Sequence, residues 1–334
     1  MTAMKLHFIR LYYLPVGLVS AINRKTSLYY SSFTTHSATH STSKRQTANM
    51  SQNQQSDNYK QGYSKYTTAT HEKRTAESNA AFLIPHIKKT DHILDVGCGP
   101  GTITTGFAKY APEGIIIGVD MSKDVLEKAK ELAIAASVPT EGPGSVRYEE
   151  GNVLERLPYP DGTFDIVYSS QLLGHIPPPD LPRQALVEMR RVLKPGGILA
   201  ARSGLSSAFY PKSLQLDRLW TENLSKLLRQ GAPEGVEDTW VSLPAYFRSA
   251  GFDADGGKVL IGVGTQLVQG PEARKWLAWR VAGQLQPEDP FHQSWLKAGI
   301  AKEEIEETID AVNKWAETED AWFAGLQCEM LAWK

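Results

Sequence analysis

Residues 92–110 read HILDVGCGPGTITTGFAKY, and few folds accommodate such a stretch. An apolar run ends in Asp95, Gly97, Gly99 and Gly101 follow at alternate positions, and a helix-forming stretch begins at once. That is the order of a strand, a tight turn and a helix that together receive part of a nucleotide-like ligand. A nicotinamide dinucleotide site asks for G-x-G-x-x-G, so that the helix start can take the pyrophosphate. Here the sixth position is Thr102 and the pattern is G-x-G-x-G. Asp95 stands at the strand's carboxyl end beside the turn, where its charge repels a diphosphate and attracts a cation.

The alternation continues downstream. Ile115 to Val119 reads as a second strand ending in Asp120, and Ser122 is a candidate N-cap for a helix with the stripe Val125, Leu126, Ala129 and Leu132. Val146 to Glu150 is a third strand, Phe164 to Ser169 a fourth, Leu181 to Leu193 a helix and Ile198 to Ala201 a fifth strand. Repeated strand–helix units imply a parallel sheet covered on both faces by helices. Upstream, Ala80, Leu83, Ile84 and Ile87 fall on one face of a helix expected over Thr75 to Ile87. Residues 204–239 and 271–318 read as helical cap insertions, 240–252 as a further helix, Lys258 to Val263 as a strand, and the final residues as a last strand alternating Leu326, Cys328, Met330 and Ala332. The domain is expected over 57–334.

Composition matters chiefly for what it excludes. A net charge of −1, from 36 basic and 37 acidic residues, makes no chain-wide nucleic-acid groove. The two cysteines, Cys98 and Cys328, are too few for a disulfide framework or a cysteine zinc site. The first 56 residues form a tail without Asp or Glu, with scattered Lys and Arg and abundant Ser and Thr. They read either as a presequence addressing the mitochondrial matrix, or as a disordered tail that a start at Met50 would remove, leaving a cytoplasmic protein. The stretch from Leu11 to Ile22 is too short, and too broken by Pro15 and Gly17, for a transmembrane segment.

S-adenosylmethionine is a ligand of the kind the Asp95 turn favours: a sulfonium and an ammonium outweigh its one carboxylate, and it has no phosphate. Asp120, at the end of the second strand, can accept hydrogen bonds from both ribose hydroxyls, although nicotinamide sites use the same acid. Asn152 and Val153, after the third strand, are placed to meet an adenine edge. The fourth strand opens into SSQLLGHI, next to where a reactive methyl would sit.

The segments ILDVGCGPG, GVDMS, GNVLERLPYPDGTFDIVYSSQLLGHI and RVLKPGG follow in that order. Together they resemble the class I S-adenosylmethionine-dependent methyltransferases, most of all the ubiquinone/menaquinone-biosynthesis type and its fungal small-molecule relatives. The resemblance covers residues 60–203 in detail. It implies an α/β fold with a Rossmann-like, mostly parallel seven-stranded sheet, helices on both faces and a helical substrate cap. It also implies that Gly97, Gly99 and Gly101 approach the methionine part, Asp95 its ammonium, Asp120 the ribose, and Asn152 with Val153 the adenine. Cys98 in the turn, Met121, Ser169 and Tyr66 complete the expected cofactor set, with Arg74 either paired to the methionine carboxylate or a solvated charge at a helix start. Two departures stand out: Asn152 replaces the more usual Asp, and Gly174 replaces a bulkier residue before His175.

His175 is the candidate general base, with a structural hydrogen-bonding role as the alternative. Tyr210, Trp220, Trp276 and Trp279 are candidates to line an apolar substrate chamber, or else the cap's own core. The expected function is transfer of a methyl group from S-adenosylmethionine to a small, apolar or aromatic metabolite by in-line displacement, without a metal. The alternatives are a regulatory or scaffold protein of the same fold and a protein methyltransferase.

Overall fold

The first strand, β1 (Ile93–Val96), is buried at every residue, which is what a central strand of a two-faced parallel sheet requires. The computed structural model describes residues 59–237, 239 and 241–334. The tail expected over 1–56, with its mitochondrial address and its alternative start at Met50, lies outside the described residues.

Around β1 the sheet is built from β2 (Ile115–Asp120), β3 (Ser145–Glu150), β4 (Phe164–Ser170), β5 (Leu193–Tyr210), β6 (Val259–Gln269) and β7 (Trp322–Trp333). Their order is β3-β2-β1-β4-β5-β7-β6. The pairs from β3 to β5 are parallel, and β7 runs antiparallel to both β5 and β6. The chain works outward from β1 to β3 and then returns to β4 on the other side of β1. That reversal opens a crevice at the carboxyl ends of β1 and β4, the place where open α/β sheets bind ligands.

The described helices are α1 (Lys65–Glu72), α2 (Ala76–Asn79), α3 (Thr102–Phe107), α4 (Lys123–Ala135), α5 (Asp180–Val192), α6 (Asn223–Leu228), α7 (Leu243–Ser249), α8 (Pro271–Gln284), α9 (Pro290–Lys297) and α10 (Lys302–Glu317). One sheet face is covered by Leu186 and Met189 of α5 and by Leu243 and Phe247 of α7 over Leu94, Val96 and Val167. The other is covered by Phe107 of α3 and by Leu126 and Ala129 of α4 over Ile93, Ile116 and Ile166. A third cluster, with Trp220, Phe291, Trp295 and Trp315 at its centre, is the cap's own core. The Ser122 hydroxyl accepts from the Val125 N–H at the start of α4, the cap its sequence announces.

Two expected elements differ. The helix expected over 75–87 stops at Asn79 and resumes only as a 3-10 turn, Ile84–His86. Pro85 lacks an N–H and disfavours the α conformation at Ile84, and the Tyr168 hydroxyl donates to the Asn79 carbonyl at 2.9 Å. The helical cap expected from 204 begins later, because residues 204–210 continue β5. They pair there with Trp322–Gln327 of β7, and Gly204 to Ser206 absorbs a change of register. The last strand buries Cys328, Met330 and Ala332 on one face as its alternation predicts, while Leu326 is 40% exposed. Both cysteines are free thiols. No helix among the described residues is long and apolar enough to cross a membrane.

Candidate cofactor and acceptor site

At the crevice lies a cavity of about 330 Å³, within the range of small-ligand sites. Its floor is the turn after β1. Asp95, Gly97, Cys98 and Gly99 all line it, as do Asp120 and Met121 at the end of β2 and Asn152 and Val153 after β3.

Asp95 is almost fully buried, and its carboxylate accepts from the Thr104 hydroxyl at 2.6 Å. Burial raises its carboxyl to about 7; the Thr104 bond opposes the shift and the charge of Asp120 adds to it. Asp120 is held by the backbone: the Gly99 N–H donates to Oδ2 at 3.0 Å and the Ser122 N–H to Oδ1 at 3.0 Å. Burial raises its carboxyl too, with those backbone bonds pulling it back. The Tyr63 hydroxyl lies near this carboxylate and also works to lower it. Asn152 lines the cavity with its oxygen already accepting from the Leu154 N–H at 3.0 Å, a local turn that fixes its side chain.

Gly101 does not line the cavity. It enters α3 at φ +76°, and a Cβ there would run into the Tyr148 hydroxyl, which donates to the Gly101 carbonyl at 3.0 Å. The third glycine serves packing under the turn rather than direct contact with a ligand. Ser169 is likewise displaced by strand alternation: it is buried in the sheet, and Ser170 faces the cavity instead.

The roof is the segment before β1. Tyr59, Lys60, Tyr63, His71 and Arg74 line the cavity from above. Tyr66 does not; it lies on the opposite side of α1, against Trp279 with ring centroids 4.9 Å apart and against Gly283 of α8. The fourth wall follows β4, with Gln171, Leu172, His175 and Ile176. Gln171 adopts φ +61°, and its side chain accepts from the Gly204 N–H at 3.1 Å and donates to Gln327. His175 packs edge-on to Tyr59 at 5.1 Å, and its buried Nδ1 has no partner among the described residues. Burial, with Arg74 and Lys60 nearby, lowers its imidazole to about 4, so it is neutral at pH 7 and only a weak base.

None of the four aromatic residues expected in a substrate chamber reaches this cavity. Trp220 is buried in the cap core against Phe291 and Trp295. Trp276 lies under the Lys73 ammonium at 3.7 Å, Tyr210 stacks on Trp322, and Trp279 is 46% exposed beside Tyr66. The residues that take their place, Tyr59, His71 and Gln171, carry a weaker signal. Tyr59, Tyr63 and His71 are spaced at helical intervals in one polar stretch, and Gln171 directly follows the fourth strand. Among the described residues no group of three or more His, Cys, Asp or Glu is placed to hold a metal.

A family model described as a methyltransferase domain matches residues 93–197, which spans β1 to the start of β5. "Probable methyltransferase ltbC" from Aspergillus luteorubrus is 59% identical over 280 residues, covering 84% of this chain and 98% of that protein. The chain belongs to the class I S-adenosylmethionine-dependent methyltransferases. This methyltransferase is also similar to an uncharacterized methyltransferase of Schizosaccharomyces pombe, 44% identical over 164 residues, with 48% of this chain and 58% of that one covered. A demethylmenaquinone methyltransferase of Symbiobacterium thermophilum is 41% identical over 113 residues, with 34% and 42% covered.

The cavity's chemistry fits the cofactor. Two buried carboxylates suit an ammonium and a ribose, and the bare backbone at Gly97 admits close approach where a Cβ would press on Leu172 at 3.1 Å. Arg74 supplies a cation on the roof. The methyltransferase uses S-adenosylmethionine.

Proposed function

We propose that the acceptor is an apolar or aromatic small molecule, received between the roof segment and the loop after β4. The observation behind this is that one cavity joins the two carboxylates to Tyr59, Leu172, His175 and Ile176, a mixed aromatic and aliphatic wall with few hydrogen-bonding groups. The similarity to a protein named for demethylmenaquinone supports the same class of acceptor.

In this reading Asp95 faces the ammonium of the cofactor, Asp120 its ribose hydroxyls, Asn152 and Val153 its adenine, and Arg74 its carboxylate. S-adenosylmethionine supplies an activated methyl group that departs by in-line displacement. The protein's part is alignment: the backbone N–H groups of Gly99 and Ser122 hold Asp120, Thr104 holds Asp95, and Gln171 is locked to the β5–β7 pair. His175 accepts a hydrogen bond from the acceptor; with its basicity lowered this far, full proton capture is a poor role for it.

The test is release of S-adenosylhomocysteine with a panel of small phenols, quinols and apolar amines, alongside calorimetry on Asp120→Ala. Turnover with at least one aromatic acceptor is expected. The Asp120→Ala change should weaken cofactor binding by about 2–3 kcal/mol. Turnover only with polar aliphatic acceptors, or unchanged affinity in folded Asp120→Ala, would reject the reading.

A further inference from the structure

β6 is the outermost strand of the sheet, and its sequence, VLIGVGTQLVQ, carries no charged residue and no proline. Those are the devices by which an outer strand ordinarily keeps other chains away. The pairing of β6 with β7, and of β7 with β5, sorts the side chains of all three strands onto two faces, since directly paired residues point the same way. One face carries Phe209, Phe323 and Val268 and packs on the cap core. The other carries Ile261, Val263 and Leu267 of β6, Leu326 and Trp322 of β7, and Tyr210 of β5.

This second face is only partly covered. Toward the end of β7, Met330 and Ala332 are fully buried in one cluster with Leu243 and Phe247 of α7. The six large apolar side chains, in contrast, each keep 40–61% of their surface exposed among the described residues. Between them lie Ser206, Ala208, Ala324 and Thr265, and no charged residue of the three strands falls on this face. The bare area of the six is roughly 600 Å², the upper end of what a monomer leaves in one apolar patch. Two copies placed face to face would remove roughly 1,200 Å² from water, which reaches the range of stable protein interfaces.

The relief of the face is complementary to itself. Leu326 stands as a ridge between the smaller Ser206 and Thr265, and the next row of paired residues is a hollow at Ala208 and Ala324. A two-fold axis crossing the strands between these two rows lays the Leu326 of a second copy into the hollow and returns the first Leu326 to the hollow of the second copy. That reciprocity is what an isologous interface demands. Packed sheets stand about 10 Å apart with their strands within about 30° of alignment, which this placement permits. A membrane surface fits less well, because it attracts lysines and arginines, and the Trp322 end of the face is instead flanked by exposed Glu319 and Asp320.

We infer that this face is a homodimer interface, in which two copies of the chain pack β5, β7 and β6 against each other about a two-fold axis with Leu326 at its centre.

Sedimentation of the full chain tests this, and a dimer is expected at about 10 μM. Leu326→Lys and Leu326→Asp each put an unpaired charge at the buried centre, and each should raise the dimer dissociation constant about a hundredfold or more. An equimolar mixture of the two variants should recover a substantial part of the dimer, because the two copies of position 326 lie about 7 Å apart across the axis, within reach of a Lys–Asp pair. At a dilution where the wild type has dissociated, both variants should match it in melting temperature and in affinity for S-adenosylhomocysteine, as suits an exposed position. A wild type that stays monomeric to about 100 μM, a dimer that survives both substitutions, or a mixture that does not reassociate would overturn the inference. Monomers that sediment with phosphatidylcholine–phosphatidylserine vesicles, and cease to do so as Leu326→Asp, would give the face to a membrane instead. A variant that melts well below the wild-type monomer would assign Leu326 to the fold and reject the interface likewise.

Discussion

Asp95 shows how one side chain can make ligand affinity depend on pH. In the unfolded chain its carboxyl ionises near 4, and burial in the ligand-free fold raises it to about 7. The folded state therefore holds a proton that the unfolded state has lost between these values, so stability from this group is full below about pH 4 and falls as pH rises to about 7. Asp95→Asn should flatten that part of the stability profile, measurable by thermal melts from pH 4 to 8. Binding behaves oppositely. A cationic ammonium favours ionised Asp95, so affinity for S-adenosylmethionine should fall by up to about tenfold per pH unit below 7 in the wild type and much less in Asp95→Asn. Calorimetry at pH 5.5, 6.5 and 8 checks it, and equal slopes in the two proteins would remove Asp95 from the ammonium site. The same carboxylate is legible in the linear sequence because its position is local: it ends a strand two residues before a glycine turn.

At the scale of elements, the roof segment is tied to the cap by Lys60. Its ammonium meets three carbonyls at the carboxyl end of α6, where unpaired C=O groups and the helix dipole both favour a cation. Lys60→Met should keep the side chain's apolar stem while losing those bonds, at a cost of about 1–2 kcal/mol in stability. Hydrogen exchange should show faster opening at residues 223–230 with little change in the sheet, whereas uniform exchange would separate Lys60 from the cap. The cap's helices follow from apolar periodicity, as in α10, which buries Ile305, Val312, Trp315 and Ala316. Two of its glutamates tie it down: Arg218 bonds to Glu304 and Glu307 at 3.0 Å and fastens α10 to the segment before α6. Aromatic content here marks a core rather than a ligand chamber. Large apolar rings are needed to fill a small helical core, and Trp220, Trp295 and Trp315 fill this one.

For the whole molecule, among the described residues the three buried clusters draw on Ala76 and residues after it, and the roof begins with Tyr59. A chain starting at Met50 should therefore melt at the same temperature and bind S-adenosylmethionine with the same affinity as residues 1–334. A loss of either would make the upstream residues part of the domain. Whether those residues address the mitochondrial matrix, as we propose from their missing acids and scattered basic residues, is a separate question that a fusion of residues 1–56 to a reporter answers; a purely cytosolic reporter would reject it.

The fold and the cofactor end of the site were open to reading from sequence alone, because both rest on contacts close in the chain. A parallel strand announces itself by its own apolar run, a helix by its cap and stripe, and the floor of the site by a carboxylate and glycines within one turn. The end proposed for the acceptor had no such local signature. Tyr59, His175 and Gln171 come from the roof and the loop after β4, and they meet only after the sheet has formed and the roof has closed over it. Which aromatic residues face a ligand and which fill a core is settled by which side of a helix is covered, and that depends on partners distant in sequence. Tertiary structure alone therefore decided that the expected tryptophans lie off the cavity, with Trp220 in the cap's core, and that the third glycine serves Tyr148.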